Sequence, residues 1–200
     1  MPDHTPREGP GMRRILIGGL VGGIILFAWG AFSHIVLPVG KMGLKSLPNE
    51  EPVLAAMREA IREPGLYFFP GAPGFDEGRE MSEEEAKAWE AKNMAGPAGL
   101  LLYHPHGESP MGPGQLGTQF AADVVAALLA CLLLSWTAVA YGRRVLFVAL
   151  MGLFAWVSIS APYWIWYRFP TDFIVGEAIG QVVGGLLAGL AVAAIVKPAP

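Results

Sequence analysis

The chain has 200 residues, of which 53% are hydrophobic and only 16% are charged, and its formal net charge is −3. Soluble domains are about one quarter charged and nucleic-acid-binding proteins carry a basic patch, so the composition excludes both classes and predicts no nucleic-acid partner. Cys131 is the single cysteine, which excludes an intramolecular disulfide. The apolar residues are concentrated in long runs, as in chains that are embedded in the lipid bilayer.

Four apolar runs predict four transmembrane helices, since about 20 helical residues cross the hydrocarbon core of a bilayer. The predicted helices occupy residues 15–37, 119–141, 145–162 and 172–196, with polar tails at 1–14 and 197–200. The first run is longer than the apolar core of a signal peptide and lacks a small-residue cleavage site, so we expect a retained helix. At the start of the fourth helix, Thr171 is a suitable cap and Asp172 suits the positive end of the helix dipole.

The polar segment between the first two predicted helices, residues 38–118, holds 12 of the 17 acidic residues. The elements predicted in it are a helix capped by Asn49, a strand at 66–69, a helix that begins with the capping box Ser82–Glu85, and a strand at 100–103. The predicted fold class is therefore an all-α polytopic membrane protein with four transmembrane helices and a small α+β extracytoplasmic loop domain between helices 1 and 2. So small a domain buries too little surface to be stable alone, and we expect it to lean on the membrane helices or on a partner.

Basic residues in the short connections indicate the orientation in the membrane. Those on one side are Arg13, Arg14, Arg143, Arg144 and Lys197. The short connection on the other side carries Arg168 alone. Because cytoplasmic loops carry the excess of lysine and arginine, we predict cytoplasmic N and C termini in a bacterial inner (plasma) membrane, with the loop domain in the periplasm or the extracellular space.

Glycines recur at four-residue spacing in the first and fourth predicted helices. The set is Gly18, Gly19, Gly22 and Gly23 in the first helix, and Gly176, Gly180 and Gly184 in the fourth, which Gly185 and Gly189 extend. Lipid gives no hydrophobic drive between helices, so close backbone approach at small residues supplies the contact energy. These faces predict helix packing, either within the chain or against other membrane protein subunits.

Polar residues also fall near one membrane boundary of the predicted helices. They are His34, Gln119, Asp123, Glu177 and Gln181. Ionisable groups within a membrane are costly and mark functional sites by default, so one interpretation is a proton or ion site. The other is a cluster of hydrogen bonds between helices that fixes their packing.

The residues around His34 suggest a further ligand. Gly30 precedes His34 by one turn, and this spacing resembles the small-xxx-His pattern with which light-harvesting polypeptides ligate bacteriochlorophyll. The resemblance covers residues 30–34 and implies that His34 is a pigment ligand and that Gly30 makes room for the macrocycle. The alternative is a histidine at the membrane interface that has no ligand.

The segment from His104 to Glu108 has the residue types of a metal site. In an extended chain alternate side chains share one face, so His104, His106 and Glu108 would converge as three zinc ligands with one open position. The alternative is an ordered loop whose histidines bond to backbone or water. No cofactor follows from the remaining sequence, and zinc and bacteriochlorophyll are the two contacts that the sequence allows.

These features favour a non-enzymatic accessory subunit of a larger inner-membrane complex, and an energy-transducing one, photosynthetic or respiratory, is the expected host. Its partners would be other membrane protein subunits and the lipid bilayer. One alternative is a metal-dependent periplasmic membrane enzyme that uses His104, His106 and Glu108. Another is a small channel or sensor that uses the polar residues at the membrane boundary.

Overall fold

The structure is a computed structural model that describes residues 11–107 and 109–197. Its elements are α1 (Met12–Ile35), a 3-10 turn (Pro38–Lys41), α2 (Glu50–Ala60), β1 (Gly65–Phe69), α3 (Glu83–Ala95), β2 (Gly99–Tyr103), α4 (Pro113–Ser135), α5 (Tyr141–Ala155), a π turn (Trp156–Ser160), α6 (Ala161–Tyr167) and α7 (Thr171–Ile195). Within the described ranges, four helical spans are long and apolar enough to cross a membrane: α1, α4, the run from α5 to α6, and α7. The prediction of four helices of membrane-spanning length and hydropathy is confirmed, and the chain has the make-up of a multi-pass membrane protein.

The second span lies earlier in the chain than the predicted helix at 119–141. It begins at Pro113, because proline suits the first turn of a helix, where its missing N–H has no helical partner. It ends at Ser135, and the Thr137 hydroxyl donates to a carbonyl of the last turn at 2.9 Å. Apart from Thr137, residues 136–140 are apolar, but they are not helical, which is why hydropathy alone misplaced the end of this helix.

The third span is longer than the predicted helix at 145–162. It begins at Tyr141 and continues through the π turn to Tyr167. Pro162 stopped the predicted helix, but it lies in the first turn of α6, directly after the π turn, where a missing N–H is tolerated. The aromatic residues 163–167 are therefore part of the helix rather than a segment that follows it.

The ends of the fourth span agree closely with the sequence. α7 starts at Thr171, with Asp172 in its first turn as expected. The prediction that Thr171 caps the helix is wrong, because Thr171 is already helical and Pro170 holds the cap position. Within the described residues no side chain caps this helix end.

The membrane helices pack side by side, with α1 against both α4 and α7, and α5 against α7. Their buried core is formed by Ala130, Cys131, Leu134, Val148, Val192 and Val196. Ile15 in the first turns of α1 and Ile195 at the end of α7 pack against it. This cluster therefore lies at the end of the bundle where α1 begins and α7 ends, and Ile174 is buried near the start of α7.

Residues 45–109 form a second compact unit. It contains α2, β1, α3 and β2, in the order predicted from the sequence, and the two strands pair antiparallel. Its location outside the cytoplasm remains a prediction.

Of the two helix caps predicted in this unit, one is confirmed and one is wrong. The Glu85 N–H donates to the Ser82 hydroxyl at 3.2 Å and the Ser82 N–H donates to the Glu85 carboxylate at 2.9 Å, which is the predicted capping box. Asn49 precedes α2 in a left-handed conformation, with φ of 49°, and makes no side-chain capping bond to a described residue. The left-handed backbone turns the side chain away from the extended geometry that a cap requires.

Candidate functional site

The five polar residues singled out at the membrane boundary line one cavity of about 570 Å³. His34 comes from the end of α1, Gln119 and Asp123 from α4, and Glu177 and Gln181 from α7. The structure thus brings together polar side chains from three of the four spans, in one place.

The remaining walls of this cavity are apolar and aromatic. Phe27 and Trp29 line it from α1, and Phe173 lines it from α7. The backbone after α1 closes over this end, because glycines allow it to approach closely. A Cβ on Gly43, whose φ is +73°, would lie 2.7 Å from the backbone nitrogen of Phe173, and one on Gly40 would lie 2.5 Å from the His34 ring.

The imidazole of His34 is held by its own helix. Its Nδ1 lies 3.0 Å from the Gly30 carbonyl oxygen and 3.1 Å from the Ser33 hydroxyl. When Nδ1–H donates to that carbonyl, Nε2 has no proton and is free to accept a hydrogen bond or to ligate. A Cβ on Gly30 would meet no described atom within 4 Å, so no neighbouring group of the described chain packs directly against this position. Pigment binding itself remains a prediction.

The acidic side chains of the cavity do not form the expected hydrogen bonds between helices. Gln119 donates to the Asp123 carboxylate at 3.1 Å, and both residues belong to α4. Among the described residues, Glu177 has no side-chain hydrogen-bond partner and no ion-pair partner. The bond that does connect α1 to α7 here runs from the Trp29 indole N–H to the Gly180 carbonyl, at 3.0 Å. Sequence reasoning missed Trp29, because nothing distinguishes it from other aromatic residues of an apolar helix.

Directly beyond the cavity, α1 is in backbone contact with its neighbours. A Cβ on Gly23 would lie 2.7 Å from the Val124 Cα in α4. A Cβ on Gly22 would lie 2.8 Å from both the Ala127 Cβ in α4 and the Val192 Cγ2 in α7. Three helices therefore meet without space for a side chain, and the cavity ends there.

The glycine faces of α1 and α7 are used for packing within the chain. Gly18 and Gly19 are close to Cys131 and Leu128 of α4, and Gly184 lies against Trp29 of α1. The sequence left open whether these glycines pack within the chain or against other subunits. Among the described residues, the α1 glycines pack within the chain.

The other α7 glycines have three different environments. A Cβ on Gly176 would lie 3.1 Å from the Val39 carbonyl oxygen, in the turn after α1, whereas Gly185 and Gly189 approach α5. At Gly180 a Cβ would meet no described atom within 4 Å, although the Gly180 carbonyl accepts the bond from Trp29, so its role as a packing residue remains a prediction. Gly152 of α5, which the sequence analysis did not select, touches the Gln181 carbonyl. Gly152 does not belong to a four-residue glycine repeat, so the sequence pattern did not predict its contact.

The histidines of the predicted zinc site lie in the second unit. His104 and His106 are both exposed, and Glu108 lies outside the described residues. Within residues 11–107 and 109–197, no three His, Cys, Asp or Glu side chains are grouped as metal ligands. Zinc binding remains a prediction that metal analysis of the His104→Ala, His106→Ala double variant would test.

The second unit also has an open apolar strand face. The register places Leu66 opposite Leu102 and Phe68 opposite Leu100, so these four side chains share one face of the two-stranded sheet. Leu66 is 67% exposed and Leu102 is 71% exposed. Among the described residues of this unit, no large apolar side chain is buried.

The cavity and the strand face differ in the chemistry they offer. Carboxylates and aromatic rings line the cavity, and both attract cations. The strand face offers apolar side chains alone, which favour contact with another apolar surface. No family model, curated protein or solved structure matches the chain.

Proposed function

We propose that the protein is a non-enzymatic membrane sensor that binds a small cation-bearing molecule in the cavity among α1, α4 and α7. The observation that carries this proposal is the convergence of His34, Asp123 and Glu177 on one cavity in which Glu177 has no partner among the described side chains. An unpaired carboxylate near the bilayer is costly. A bound cation would remove that cost, and the Trp29 ring, which lines the same cavity, is suited to a quaternary or primary ammonium group.

Two features favour a sensor over a channel or an enzyme. The backbone contacts at Gly22 and Gly23 close the space beyond the cavity, which favours reversible binding over conduction. The hydroxyl nearest to His34, that of Ser33, is buried and donates to the Gly30 carbonyl, so it is poorly placed to act as a nucleophile.

Thermal stability of the purified protein in detergent tests the binding. We expect tetramethylammonium or butylammonium chloride to raise the melting temperature more than sodium chloride does, because a ligand that binds only the folded state stabilises it. Glu177→Gln should abolish this difference while it retains the fold. Glu90→Gln, which removes an exposed carboxylate of α3, should not. If Glu177→Gln and the unmodified protein respond alike to every ammonium ion, the proposal fails.

As a second candidate we propose an accessory subunit of a larger membrane complex, and the open strand face of the second unit favours it. A unit of this size with no buried large apolar side chain among its described residues needs an external surface to complete its core. A partner protein that covers Leu66, Phe68 and Leu102 would supply that surface. We propose an energy-transducing complex, photosynthetic or respiratory, as the host, and the resemblance at His34 bears on the photosynthetic case alone.

Purification from native membranes in a mild detergent distinguishes this candidate. Leu102→Glu places a charge in the strand face and should lose a co-purifying protein that the unmodified chain retains. Met94→Glu makes a similar change at an α3 side chain that is 83% exposed and lies outside the strand face, so it should retain the partner. Equal retention by both variants would contradict the accessory role of this face.

A further inference from the structure

Arg144, in the first turn of α5, is a buried cation without a partner. Its side chain is 3% exposed. Its Nε and Nη2 atoms are buried and have no hydrogen-bond partner among the described residues. Leaving a buried charge uncompensated is strongly destabilising, so this guanidinium requires an anion that the described chain does not provide.

The surroundings of Arg144 form a cleft of about 560 Å³ between the start of α5 and the end of α7. The small side chains of Ala193 and Ala194 leave this space, and Lys197 lines it with a second positive charge. The Tyr141 hydroxyl donates to the Leu190 carbonyl at 2.9 Å and fixes α5 against α7 beside the cleft. No described side chain caps the N-terminus of α5, so the N–H groups of its first turn add to the positive potential.

We propose that Arg144 and Lys197 bind a phosphate group in this cleft, supplied by the headgroup of an anionic phospholipid or by a free phosphate compound. Arginine matches phosphate geometry with two parallel N–H donors, and Arg144 lines the cleft. Basic pockets between membrane helices are suited to anionic headgroups. The site lies at the end of α7 opposite to the cavity proposed for the sensor and does not depend on that function.

The test compares three additives on the purified protein in an uncharged detergent: phosphatidylglycerol, inorganic phosphate, and diacylglycerol with the same acyl chains. We expect phosphatidylglycerol to raise the melting temperature, and diacylglycerol, which lacks a phosphate, to have no effect. A comparable rise with inorganic phosphate would identify a free phosphate compound as the source. Arg144→Ala should weaken the binding of the active additive by about tenfold or more, as expected when one partner of a charged hydrogen bond is removed.

Arg143→Ala is the matched control, because Arg143 lies in the same turn and carries the same charge, but is exposed. It should bind the active additive as the unmodified protein does. If Arg144→Ala does not fold, Lys197→Gln provides the second variant, since Lys197 is exposed at the cleft, and it should also bind more weakly than Arg143→Ala. Equal binding by the cleft variants and Arg143→Ala, protection by diacylglycerol, or protection by neither phosphate source would overturn the proposal.

Discussion

Substitution of Gly22 by alanine tests the packing of α1 most directly, because two helices meet this glycine at once. The added Cβ would lie 2.8 Å from the Ala127 Cβ of α4 and 2.8 Å from the Val192 Cγ2 of α7, whereas ordinary contacts begin at 3.4 Å. Neither neighbour has a long side chain that can swing aside, so one helix must move. Overpacking of this kind costs about 1 to 3 kcal/mol, and we expect the upper part of that range, because moving α1 away from α4 presses it against α7.

Gly180→Ala is the matched control for this substitution. It adds the same methyl group to a membrane helix, but no described atom lies within 4 Å of the new Cβ. We expect it to be neutral, or to stabilise by up to about 1 kcal/mol through its better helix propensity. The two variants should therefore change stability in different directions, although both remove a glycine from a four-residue repeat.

The free energy of unfolding of both variants is measured by titration of the purified protein from a mild detergent into dodecyl sulfate, with helicity as the readout. The argument requires Gly22→Ala to unfold at a lower dodecyl sulfate fraction than the unmodified chain, and Gly180→Ala to unfold at the same or a higher one. If Gly180→Ala is the more damaging of the two, α7 uses its repeat against another molecule and the packing described here is wrong.

Three further predictions concern other parts of the chain. The hydrogen bond from the Arg79 guanidinium, together with that from the Ser82 N–H, lowers the pKa of Glu85 from 4.5 to about 2. The stability that the Glu85 carboxylate gives to α3 is therefore complete above pH 4.5 and is lost as the pH falls through 2. Arg79→Gln should raise the pKa of Glu85 towards 4.5 in a carboxylate NMR titration, and an unchanged pKa would contradict the assignment. A topology reporter fused after Lys197 should be active in the cytoplasm and one inserted near Gly78 outside it, whereas activity on one side only would contradict the predicted orientation. Trp29→Phe removes the indole bond to α7 and should cost about 1 kcal/mol in the dodecyl sulfate titration, and no cost would show that this bond is absent in detergent.

Hydropathy and spacing predicted the spans well, but the ends of the spans depend on local chemistry that hydropathy does not record. The apolar run continues past Ser135 although the helix stops there, because the hydroxyls at this point bond to the last carbonyls. Conversely, Pro162 indicated an end where the backbone continues through a π turn. Both errors arise because residue type reports on burial in lipid and only indirectly on hydrogen bonding.

The candidate site was predictable in its members but not in their bonding. Placing five polar residues at one membrane boundary followed from the positions of the spans, and the structure gathers all five at one cavity. The spacing of Gln119 and Asp123 is one helical turn, which predicts a bond within α4 as readily as one between helices, and the local bond is the one observed. Arg144 was assigned to a loop because its helix was predicted to begin after it, and its burial against α7 depends on Ala193, which has no signature of its own.

Both the glycine contacts and the polar residues of the cavity could hold the membrane helices together. Hydrogen bonds between helices are one means of association in lipid and close backbone contact at small residues is the other. The contacts of Gly22 with α4 and α7, and of Gly185 and Gly189 with α5, already join the four spans. Association of the four helices therefore does not require Asp123 and Glu177. Helix packing does not explain why these two carboxylates lie near the bilayer, where they cost free energy. The cation binding proposed above would account for both the Glu177 carboxylate, which has no partner among the described residues, and the space beside it.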